Sequence, residues 1–291
     1  MELVRRVHLM REISREARSR GQKVCLVPTM GALHEGHLAL IRKARQLGDL
    51  VVVSIFVNPR QFGPAEDYDT YPRDLARDAD LCIEEGVDFL FCPEAKDMYP
   101  EGFRTAVEVE GLSAVFEGAS RPGFFRGVCT VVLKLFEIVA PHFAIFGQKD
   151  AQQALIVRRM ITDLNLGVEL VIEPTVRAAD GLALSSRNAY LDDEQRQAAT
   201  ALYRALEAAR VMVEEGSASG ERVEVEMRQI LEAEPLVRVD YVAAVDPDNL
   251  ERLDAVEDRV LLLVAAWVGQ TRLIDNMLLP EVPGAAGGDL R

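Results

Sequence analysis

The chain has 291 residues and carries 47 acidic side chains against 33 Lys and Arg side chains, a formal net charge of −14. This acidic balance argues against sequence-independent nucleic-acid binding, which needs a basic face that displaces counterions. It argues equally against a basic patch that binds a membrane surface. With 49% apolar residues the chain can bury a full core, and its length predicts two domains.

The N-terminal segment and the cysteines indicate the cellular compartment. Residues 1–23 predict a charged amphipathic helix that lacks the apolar core and cleavage site of a signal peptide. No stretch reaches the roughly 18–20 uninterrupted apolar residues of a membrane span. We therefore expect a soluble cytoplasmic protein with no membrane and no nucleic-acid partner. The cysteines form no CxxC pair and three lie in apolar runs, which predicts reduced structural thiols at Cys25, Cys82, Cys92 and Cys129.

The first 175 residues alternate between short apolar runs and helical patterns. The apolar runs are continuous, which is typical of parallel strands covered on both faces. The predicted strands are Val24–Thr29, Leu50–Val57, Val87–Cys92, Phe143–Phe146 and Glu169–Glu173. The predicted helices are Gly36–Leu47, Leu75–Glu85, Gly127–Val139 and Ala151–Asp163. This order predicts an α/β fold with an open, Rossmann-like, doubly wound parallel sheet, with Thr105–Glu110 as an edge strand.

After Pro174 the pattern changes to helices followed by strands. One long amphipathic helix is predicted over Asp192–Glu214, followed by a Gly/Ser break over Gly216–Gly220 and a second helix that ends at Glu234. Turn residues separate three further strands, which predicts an antiparallel meander. These strands are Val237–Val245, Val260–Trp267 and Thr271–Leu278.

The change of pattern sets the predicted domain boundaries. A Rossmann-like domain is expected over residues 1–175, and a smaller α+β domain with an antiparallel sheet over residues 176–280. Residues 281–291 are rich in Gly and Ala and are expected to be a disordered tail.

The most informative segment is Val27–Leu38 (VPTMGALHEGHL), which runs from the first predicted strand through a glycine-containing turn into a helix. Such a junction directs backbone N–H groups and the positive helix end at an anion. His34 and His37 are three residues apart, so their rings share one face of the helix. Two imidazoles there can donate hydrogen bonds to a phosphate whose charge grows during a reaction.

Two other interpretations of this histidine pair are open. A histidine near a helix start is more often a capping or packing residue. A zinc site is the other option, although HxxH is one residue short of the HExxH spacing and no third ligand with suitable spacing is visible. We favour phosphate chemistry because two of the four histidines of the chain lie together in this turn.

Polar residues also follow two later strands. Asn58 and Gln61 lie in FVNPRQF, and their neutral amides suit a hydroxyl or carboxylate ligand, although Asn-Pro is also an ordinary turn. Lys149 lies in FGQKDAQQ, and it could meet phosphate oxygens or be a solvated surface lysine. Because the carboxyl ends of parallel strands form the ligand-binding edge of such sheets, both clusters are site candidates.

A third cluster follows the Asp180-Gly181 turn. Leu184–Asn188 (LSSRN) places two hydroxyls and a guanidinium on a predicted loop between domains. Such a loop could close over a nucleotide and exclude water.

The motifs VPTMGALHEGH, FVNPRQFG, YPRD, RPGFFRGV, FGQKDAQQ and LSSRN, in this order and spacing, resemble the pantothenate synthetase (pantoate–β-alanine ligase) family of the HxGH nucleotidyltransferase superfamily. The resemblance covers about residues 1–280. It implies a two-step reaction with ATP and Mg²⁺: the pantoate carboxylate attacks the α-phosphorus to give pantoyl adenylate and pyrophosphate, and the β-alanine amine then displaces AMP. It also implies ATP, pantoate and β-alanine as small-molecule partners, and a homodimer.

The resemblance implies a role for individual residues of this chain. His37 would be the proton donor, with His34 and Lys149 stabilising phosphates, and Asp78 would hold magnesium. Pantoate and β-alanine would be bound by Asn58, Gln61, Arg121 and Gln153. ATP would be bound by Met30, Gly31, Ala32, Leu33, His34, Glu35, Gly36, His37, Gly147, Gln148, Lys149, Asp150, Val176, Leu184, Ser185, Ser186 and Arg187.

Two positions depart from the family pattern, and two rival functions are open. Phe124 replaces the histidine of the usual RPGHFRG motif, and Arg77 stands where some relatives carry a second acid. The rivals are a related enzyme that leaves the nucleotide on a phosphorylated acceptor and a non-catalytic nucleotide-binding module. The NPRQF and QKDxxQ motifs argue against the first rival. The joint presence of His34, His37 and Lys149 argues against the second.

Overall fold

The computed structural model describes residues 1–64, 66–216, 219–256 and 259–280. The chain divides into two compact units, the first from Met1–Gly147 and Gln152–Glu173 and the second from Gln148–Ala151 and Pro174–Arg291. The tail predicted over residues 281–291 lies outside the described residues. Within the described ranges, no helix is both long and apolar enough to cross a membrane.

The first unit contains a parallel sheet of six strands. They are β1 (Glu2–Val4), β2 (Val24–Thr29), β3 (Leu50–Ile55), β4 (Phe89–Phe91), β5 (Phe143–Gly147) and β6 (Glu169–Glu173). Their spatial order is β1-β4-β3-β2-β5-β6, which confirms the predicted doubly wound sheet. The helices that alternate with the strands are α1 (Val7–Ser19), α2 (Glu35–Leu47), α3 (Leu75–Glu84), α4 (Ala95–Met98), α5 (Glu117–Ser120), α6 (Phe124–Val139) and α7 (Ala151–Asp163).

Both faces of this sheet are buried. Val24 and Leu26 of β2 belong to one apolar cluster, and Cys25 and Val27 belong to another. Successive side chains of a strand point to opposite faces, so two separate cores take alternate residues of the same strand. This explains why the strands appear in the sequence as continuous apolar runs.

Two expectations for the first unit are wrong. Glu2–Val4 form an edge strand parallel to β4, and α1 begins only at Val7, whereas a helix was predicted over residues 1–23. The strand was missed because three residues are too few to show a periodic pattern. The predicted edge strand Thr105–Glu110 is irregular. Its Val107 N–H donates to the hydroxyl of Thr130 at 3.0 Å, so a side chain of α6 takes the bond that a neighbouring strand would accept.

The second unit contains three antiparallel strands, which confirms the predicted meander. They are β7 (Val237–Val245), β8 (Val260–Val268) and β9 (Thr271–Leu279), paired in that order. Its helices are α8 (Asp193–Ala198), α9 (Ala201–Glu214) and α10 (Gly220–Glu232). Apolar residues of α9, α10 and the strands form the core of this unit.

The single long helix predicted over Asp192–Glu214 is interrupted between α8 and α9. The hydroxyl of Thr200 donates to the Gln197 carbonyl at 2.7 Å, and the Leu202 N–H donates to the Ala199 carbonyl at 3.2 Å. The hydroxyl bond and a backbone bond that spans three residues instead of four replace the regular α-helical pattern there. Helical periodicity does not detect such a break, because both sides keep the same apolar face.

The four cysteines are buried and free. Burial raises the pKa of the Cys25 thiol to about 11 and that of the Cys129 thiol to about 12. Thiols that hold their protons so firmly are unreactive, as expected for structural cysteines.

Candidate active site

The turn between β2 and α2 is organised by its two histidines. Gly31 and Ala32 lie at positive φ (84° and 52°), and His34 is the N-cap of α2. The Gly36 N–H donates to His34 Nδ1 at 3.2 Å, and the His34 N–H donates to His37 Nδ1 at 3.3 Å. The histidines therefore form a reciprocal capping box, in which each ring satisfies a backbone donor of the helix start.

These bonds assign the tautomer that each ring takes when it is neutral. Because each Nδ1 accepts an N–H, the ring proton of a neutral imidazole is carried by Nε2. The ring centroids of His34 and His37 are 4.1 Å apart, with their planes inclined by 44°. Each ring can therefore cap the helix with one nitrogen and act as a donor with the other. Capping and phosphate binding, which the sequence offered as alternatives, are compatible in the same side chains.

The backbone amides that precede His34 have acceptors inside the protein. The Gly31 N–H donates to Thr29 Oγ1 at 3.2 Å, and the Ala32 and Leu33 N–H groups donate to Asp78 Oδ2 and Oδ1, both at 2.8 Å. This differs from the sequence interpretation, in which the N–H groups of the turn are directed at an anion. An anion there would depend on the histidine rings and on the positive end of α2.

Asp78, which the sequence predicts as a magnesium ligand, does not fit that role in this structure. Its side chain is 1% exposed, and each carboxylate oxygen accepts a backbone N–H. Burial raises the pKa of Asp78, and the two N–H bonds act in the opposite direction. In the part of the chain that the structure describes, no group of three or more His, Cys, Asp or Glu side chains is placed to hold a metal ion.

The predicted pantoate residues lie at the short 3₁₀ turn Pro59–Gln61 after β3, with Asn58 as its N-cap and Gln61 as its last residue. Asn58 is 1% exposed, donates to Gln61 Oε1 at 2.9 Å, and accepts from the Tyr99 hydroxyl at 2.8 Å. Gln61 Nε2 contacts the sulfur of Met30 at 3.0 Å. Thioether sulfur is a weak acceptor, so this amide keeps the capacity to donate to a substrate oxygen. Asn58 is placed to orient Gln61.

The motif analysis missed two residues that support this turn. The Gly127 carbonyl accepts from Asn58 Nδ2 at 3.1 Å, and a Cβ on Gly127 would lie 2.2 Å from the Arg60 carbonyl oxygen. Glycine is therefore required where α6 meets the turn. Its position among bulky apolar residues of α6 was a signal in the sequence. Tyr99, whose pKa burial raises to about 12, gave no such signal.

Arg121 contacts the backbone of Gln61 and two carboxylates. Its guanidinium donates to Glu66 Oε1 at 2.8 Å, to Glu117 Oε1 at 3.3 Å and to the Gln61 carbonyl at 3.2 Å. The guanidinium carbon lies 3.8 Å from the centroid of the Phe124 ring. Phe124 thus supplies an aromatic face on which the cation stacks. Arg121 supports the Gln61 backbone, and its contact with substrate stays a prediction.

Adjacent glutamines at the start of α7 differ in their environment. Gln152 is buried, accepts from the Glu117 N–H at 3.1 Å and donates to the Leu112 and Val115 carbonyls at 2.9 Å. Gln152 therefore ties the chain before α5 to α7. Gln153 is half-buried, and its role in binding pantoate stays a prediction.

In the second unit, the turn Gln148–Asp150 carries Lys149 and is held by Asn276 of β9. Asn276 Nδ2 donates to the carbonyls of Gln148 and Lys149 at 2.9 and 2.8 Å, and Gln148 Nε2 donates to Asn276 Oδ1 at 3.0 Å. Lys149 Nζ lies 3.9 Å from Asp150 Oδ1. The amide of Asn276 therefore fixes the backbone from which the Lys149 ammonium extends.

A buried ion pair lies next to Asn276. Arg177 donates to both carboxylate oxygens of Asp275 at 2.6 and 3.0 Å, and to the Asn276 carbonyl at 3.2 Å. Burial raises the pKa of Asp275, and Arg177 opposes that effect. The guanidinium carbon of Arg177 also lies 4.7 Å from the centroid of the Tyr203 ring. The consecutive Asp and Asn within an apolar strand were the available sequence signal for this missed cluster.

The predicted ATP residues Val176 and Leu184–Arg187 lie on either side of Arg177 along the chain. The Leu184 N–H donates to the Val176 carbonyl at 3.0 Å, so these two predicted ATP residues are adjacent. Ser185 caps the 3₁₀ turn Ser186–Tyr190 by accepting from the Arg187 N–H at 3.3 Å. The structure brings Val176 and the LSSRN segment together, and their contacts with ATP stay predictions.

A family model described as pantoate-beta-alanine ligase matches residues 2–278. The chain belongs to the pantoate-beta-alanine ligase family. A pantothenate synthetase of Moorella thermoacetica is 54% identical over 279 residues, which span 96% of this chain and 99% of the relative. Another, from Pelotomaculum thermopropionicum, is 54% identical over 273 residues, which span 94% of this chain and 97% of the relative. Both matches confirm the resemblance seen in the motifs.

Solved structures of pantoate-beta-alanine ligases have the same fold. Pantothenate synthetase of Thermus thermophilus is 50% identical, with a TM-score of 0.90 over 95% of this chain and 99% of that chain. The enzyme of Francisella tularensis, described as complexed with beta-gamma ATP and beta-alanine, is 34% identical, with a TM-score of 0.78 over 96% and 97% of the two chains. The α/β architecture with a C-terminal antiparallel sheet is therefore that of this ligase family.

Proposed function

We propose that this chain condenses pantoate with β-alanine to form pantothenate, with ATP converted to AMP and pyrophosphate through a pantoyl-adenylate intermediate. The observation that carries the proposal is the histidine capping box at the start of α2, in which Nδ1 of each ring accepts a backbone N–H, so that Nε2 carries the proton of a neutral ring. It occurs in a chain that a pantoate-beta-alanine ligase model matches over residues 2–278. The Francisella relative with beta-gamma ATP and beta-alanine supports the choice of substrates.

The first step needs charge neutralisation and alignment more than a base. The pantoate carboxylate is already a nucleophile near neutral pH. Its oxygen bonds to the α-phosphorus while the bond from that phosphorus to the bridging oxygen breaks, and the electron pair leaves with pyrophosphate. Nε2–H groups of His34 and His37 would donate to phosphate oxygens as this charge develops, with His37 as the proton donor.

The second step forms the amide. The β-alanine amine attacks the acyl carbon of the adenylate, the bond from that carbon to the phosphate oxygen breaks, and AMP leaves with the electron pair while the amine loses a proton. Gln61 would hold first pantoate and then β-alanine, because Asn58 fixes the orientation of its amide. Exclusion of water would protect the acyl phosphate from hydrolysis.

In this proposal the predicted residues of the second unit would bind phosphates of ATP. Lys149 would act as a point charge on phosphate oxygens, and Asn276 holds the backbone that carries it. Ser185, Ser186 and Arg187 supply two hydroxyls and a guanidinium for the phosphates.

Magnesium would accompany ATP in this proposal, since Mg²⁺ is usually held by substrate phosphates and water with few protein carboxylates. Asp78 is not assigned as its ligand. A homodimer and a cytoplasmic location complete the proposal on grounds of family resemblance. Light scattering that gives a monomer mass would contradict the dimer, and fractionation of cells tests the location.

Pyrophosphate–ATP isotope exchange with magnesium and pantoate, but without β-alanine, tests the first step. We expect exchange that depends on pantoate, followed by amide product and AMP once β-alanine is added. A phosphorylated acceptor that kept the nucleotide would favour the rival transferase. A protein that bound ATP and catalysed neither reaction would favour the non-catalytic rival.

A further inference from the structure

A buried carboxylate lies directly beneath the turn that is proposed to bind ATP. Asp78 is on the first turn of α3, and its two oxygens accept the N–H groups of Ala32 and Leu33 at 2.8 Å. A Cβ on Gly31 would lie 3.0 Å from Asp78 Oδ2, so the carboxylate packs directly against the turn. A buried negative charge next to a polyphosphate site is unfavourable, so its presence there calls for a structural role that a neutral side chain could not fill.

The preceding residue, Arg77, contacts the next peptide group of the same turn. Arg77 Nη1 donates to the Leu33 carbonyl at 3.0 Å. The N–H and C=O of Leu33 are therefore both bound by consecutive residues of α3, the N–H by Asp78 and the C=O by Arg77. The guanidinium of Arg77 is charged, and so is Asp78 when its carboxylate is ionised; hydrogen bonds to charged groups are stronger than neutral ones.

The turn contains a residue in an unfavourable backbone conformation, which the bonds from Arg77 and Asp78 can stabilise. Ala32 has a φ of 52°, a left-handed conformation that is unfavourable for a residue with a Cβ. The Ala32 N–H is one of the two that Asp78 accepts. Two residues later the chain reaches His34, whose N–H and ring complete the capping box. The geometry of the histidines thus follows from the geometry of the turn that Asp78 holds.

We propose that Arg77 and Asp78 form a clamp that positions the Gly31–His37 turn for ATP, and that Asp78 acts as a positioning residue rather than as a magnesium ligand. The proposal deepens the proposed function, on which it rests. It also gives a reason for Arg77, which replaces an acid found in some relatives. An acid could not donate to the Leu33 carbonyl when ionised.

The clamp and a metal ligand differ in what they control. Loss of the clamp would let the turn relax, which would weaken ATP binding and displace the histidine rings. It would leave the dependence on free magnesium unchanged. Loss of a metal ligand would raise the magnesium concentration needed for half-maximal activity, and excess magnesium or manganese would restore activity.

Three variants separate these roles. Asp78→Asn keeps the size of the side chain but replaces one acceptor oxygen by a donor that faces an N–H. Arg77→Met removes the bond to the Leu33 carbonyl at an exposed position. Asp80→Asn is the matched control, because it removes the same charge from an exposed position on the same helix.

Amide hydrogen exchange of the protein without ligands provides a readout that does not depend on activity. We expect the Ala32 and Leu33 amides of Asp78→Asn to exchange at least about tenfold faster, which corresponds to the loss of roughly 1.4 kcal/mol of protection. The interior of α2 should keep its protection. Arg77→Met should show a smaller change at Leu33, and Asp80→Asn should show none.

Kinetics and calorimetry then test the link to ATP. In pantoate-dependent pyrophosphate–ATP exchange, we expect kcat/KM for ATP to fall about tenfold or more in Asp78→Asn and two- to fivefold in Arg77→Met. KM for pantoate and the half-saturating concentration of free Mg²⁺ should stay within twofold of the wild-type values. Calorimetric titration with ATP and magnesium should show weaker binding in the same order.

Two results would overturn the proposal. One is unchanged amide exchange and unchanged ATP kinetics in Asp78→Asn. The other is a defect that excess Mg²⁺ or Mn²⁺ restores, which would make Asp78 a metal ligand. If Asp78→Asn does not fold, Arg77→Met decides, and wild-type behaviour of that variant would contradict the clamp. Failure of the proposed function is recognised separately, because the wild-type protein would then show no pantoate-dependent exchange.

Discussion

The two turns that carry the proposed phosphate ligands are held by different kinds of group. In the first unit, the Gly31–His37 turn is held by the buried carboxylate of Asp78, which accepts hydrogen bonds from two backbone N–H groups. In the second unit, the Gln148–Asp150 turn is held by the neutral amide of Asn276, and the adjacent carboxylate of Asp275 is paired with Arg177. The first turn is therefore held through its backbone N–H groups, which donate to a carboxylate. The second is held through its backbone carbonyls, which accept from an amide next to an ion pair.

This difference matches what each turn would present to a ligand under the proposed function. The first turn presents imidazoles that cap a helix through Nδ1, so its backbone needs an acceptor below it. The second presents an ammonium, and Asn276 supplies donors for the carbonyls of Gln148 and Lys149. The comparison suggests that a catalytic turn is stabilised by whichever hydrogen-bonding partner its backbone lacks. Four further variants and conditions test it, from the largest expected effect to the smallest.

Removal of Arg177 should have the largest effect on stability. Arg177→Met leaves the buried carboxylate of Asp275 without its cation, and loss of one partner of a buried pair costs about 3–5 kcal/mol. Arg259→Met is the control, because Arg259 pairs with Asp248 at an exposed position where such a pair is worth about 0–1 kcal/mol. Chemical denaturation measures both. Equal losses would mean that the Asp275 pair does not support the second turn.

Loss of the ammonium should have the largest effect on the chemical step. Lys149→Ala removes a charge that is placed before the reaction begins, and such a loss typically costs about 2.7–4 kcal/mol, or roughly 100- to 1,000-fold in rate. The rate of pyrophosphate–ATP exchange measures it, with Lys96→Ala as the control at an exposed lysine. An unchanged rate would remove Lys149 from the site and end the comparison of the two turns.

Removal of the amide that holds the second turn should act through Lys149. Asn276→Ala deletes two donors and one acceptor, and the displaced ammonium should lower the exchange rate about ten- to 100-fold. Asn249→Ala, at an exposed loop asparagine, should have no effect. If the double variant Lys149→Ala, Asn276→Ala lost as much as the two separate effects added together, Asn276 would not act through Lys149.

The smallest effect is a pH dependence of stability. Burial raises the pKa of Asp78, so the carboxylate ionises less readily in the folded protein than in the unfolded chain. The stability of the wild type relative to Asp78→Asn is therefore greatest below the ordinary pKa and declines as pH rises through the raised one. Unfolding free energies of both proteins at pH 4.5 and 7.5 should show this direction. The reverse slope would indicate that the N–H bonds outweigh burial.

Much of the fold was predictable from the sequence because it is encoded locally. The continuous apolar runs predicted β2 to β6, and the turn residues between three further apolar runs predicted the β7 to β9 meander. The missed strand β1 and the break between α8 and α9 escaped prediction for a common reason. A three-residue strand is shorter than the patterns that identify strands, and a kink that preserves the apolar face leaves helical periodicity intact.

The candidate site divides in the same way. His34, His37, Asn58, Gln61 and Lys149 could be identified as candidates, because their residue types and spacing are unusual and they follow strand ends. What each atom contacts could not be predicted. The family resemblance implies Asp78 as a metal ligand from its position after YPRD, and the sequence does not show the amides that this carboxylate contacts.

By itself, the sequence determined the family, most of the order of strands and helices along the chain, and the residue types available for phosphate and carboxylate chemistry. The tertiary structure decided which residues hold these groups in place. Asp78 meets amides that are 45 and 46 residues away, and Asn276 meets carbonyls that are 127 and 128 residues away. Periodicity and motifs report neighbours along the chain, whereas a hydrogen bond depends on which distant atoms folding brings to within about 3 Å.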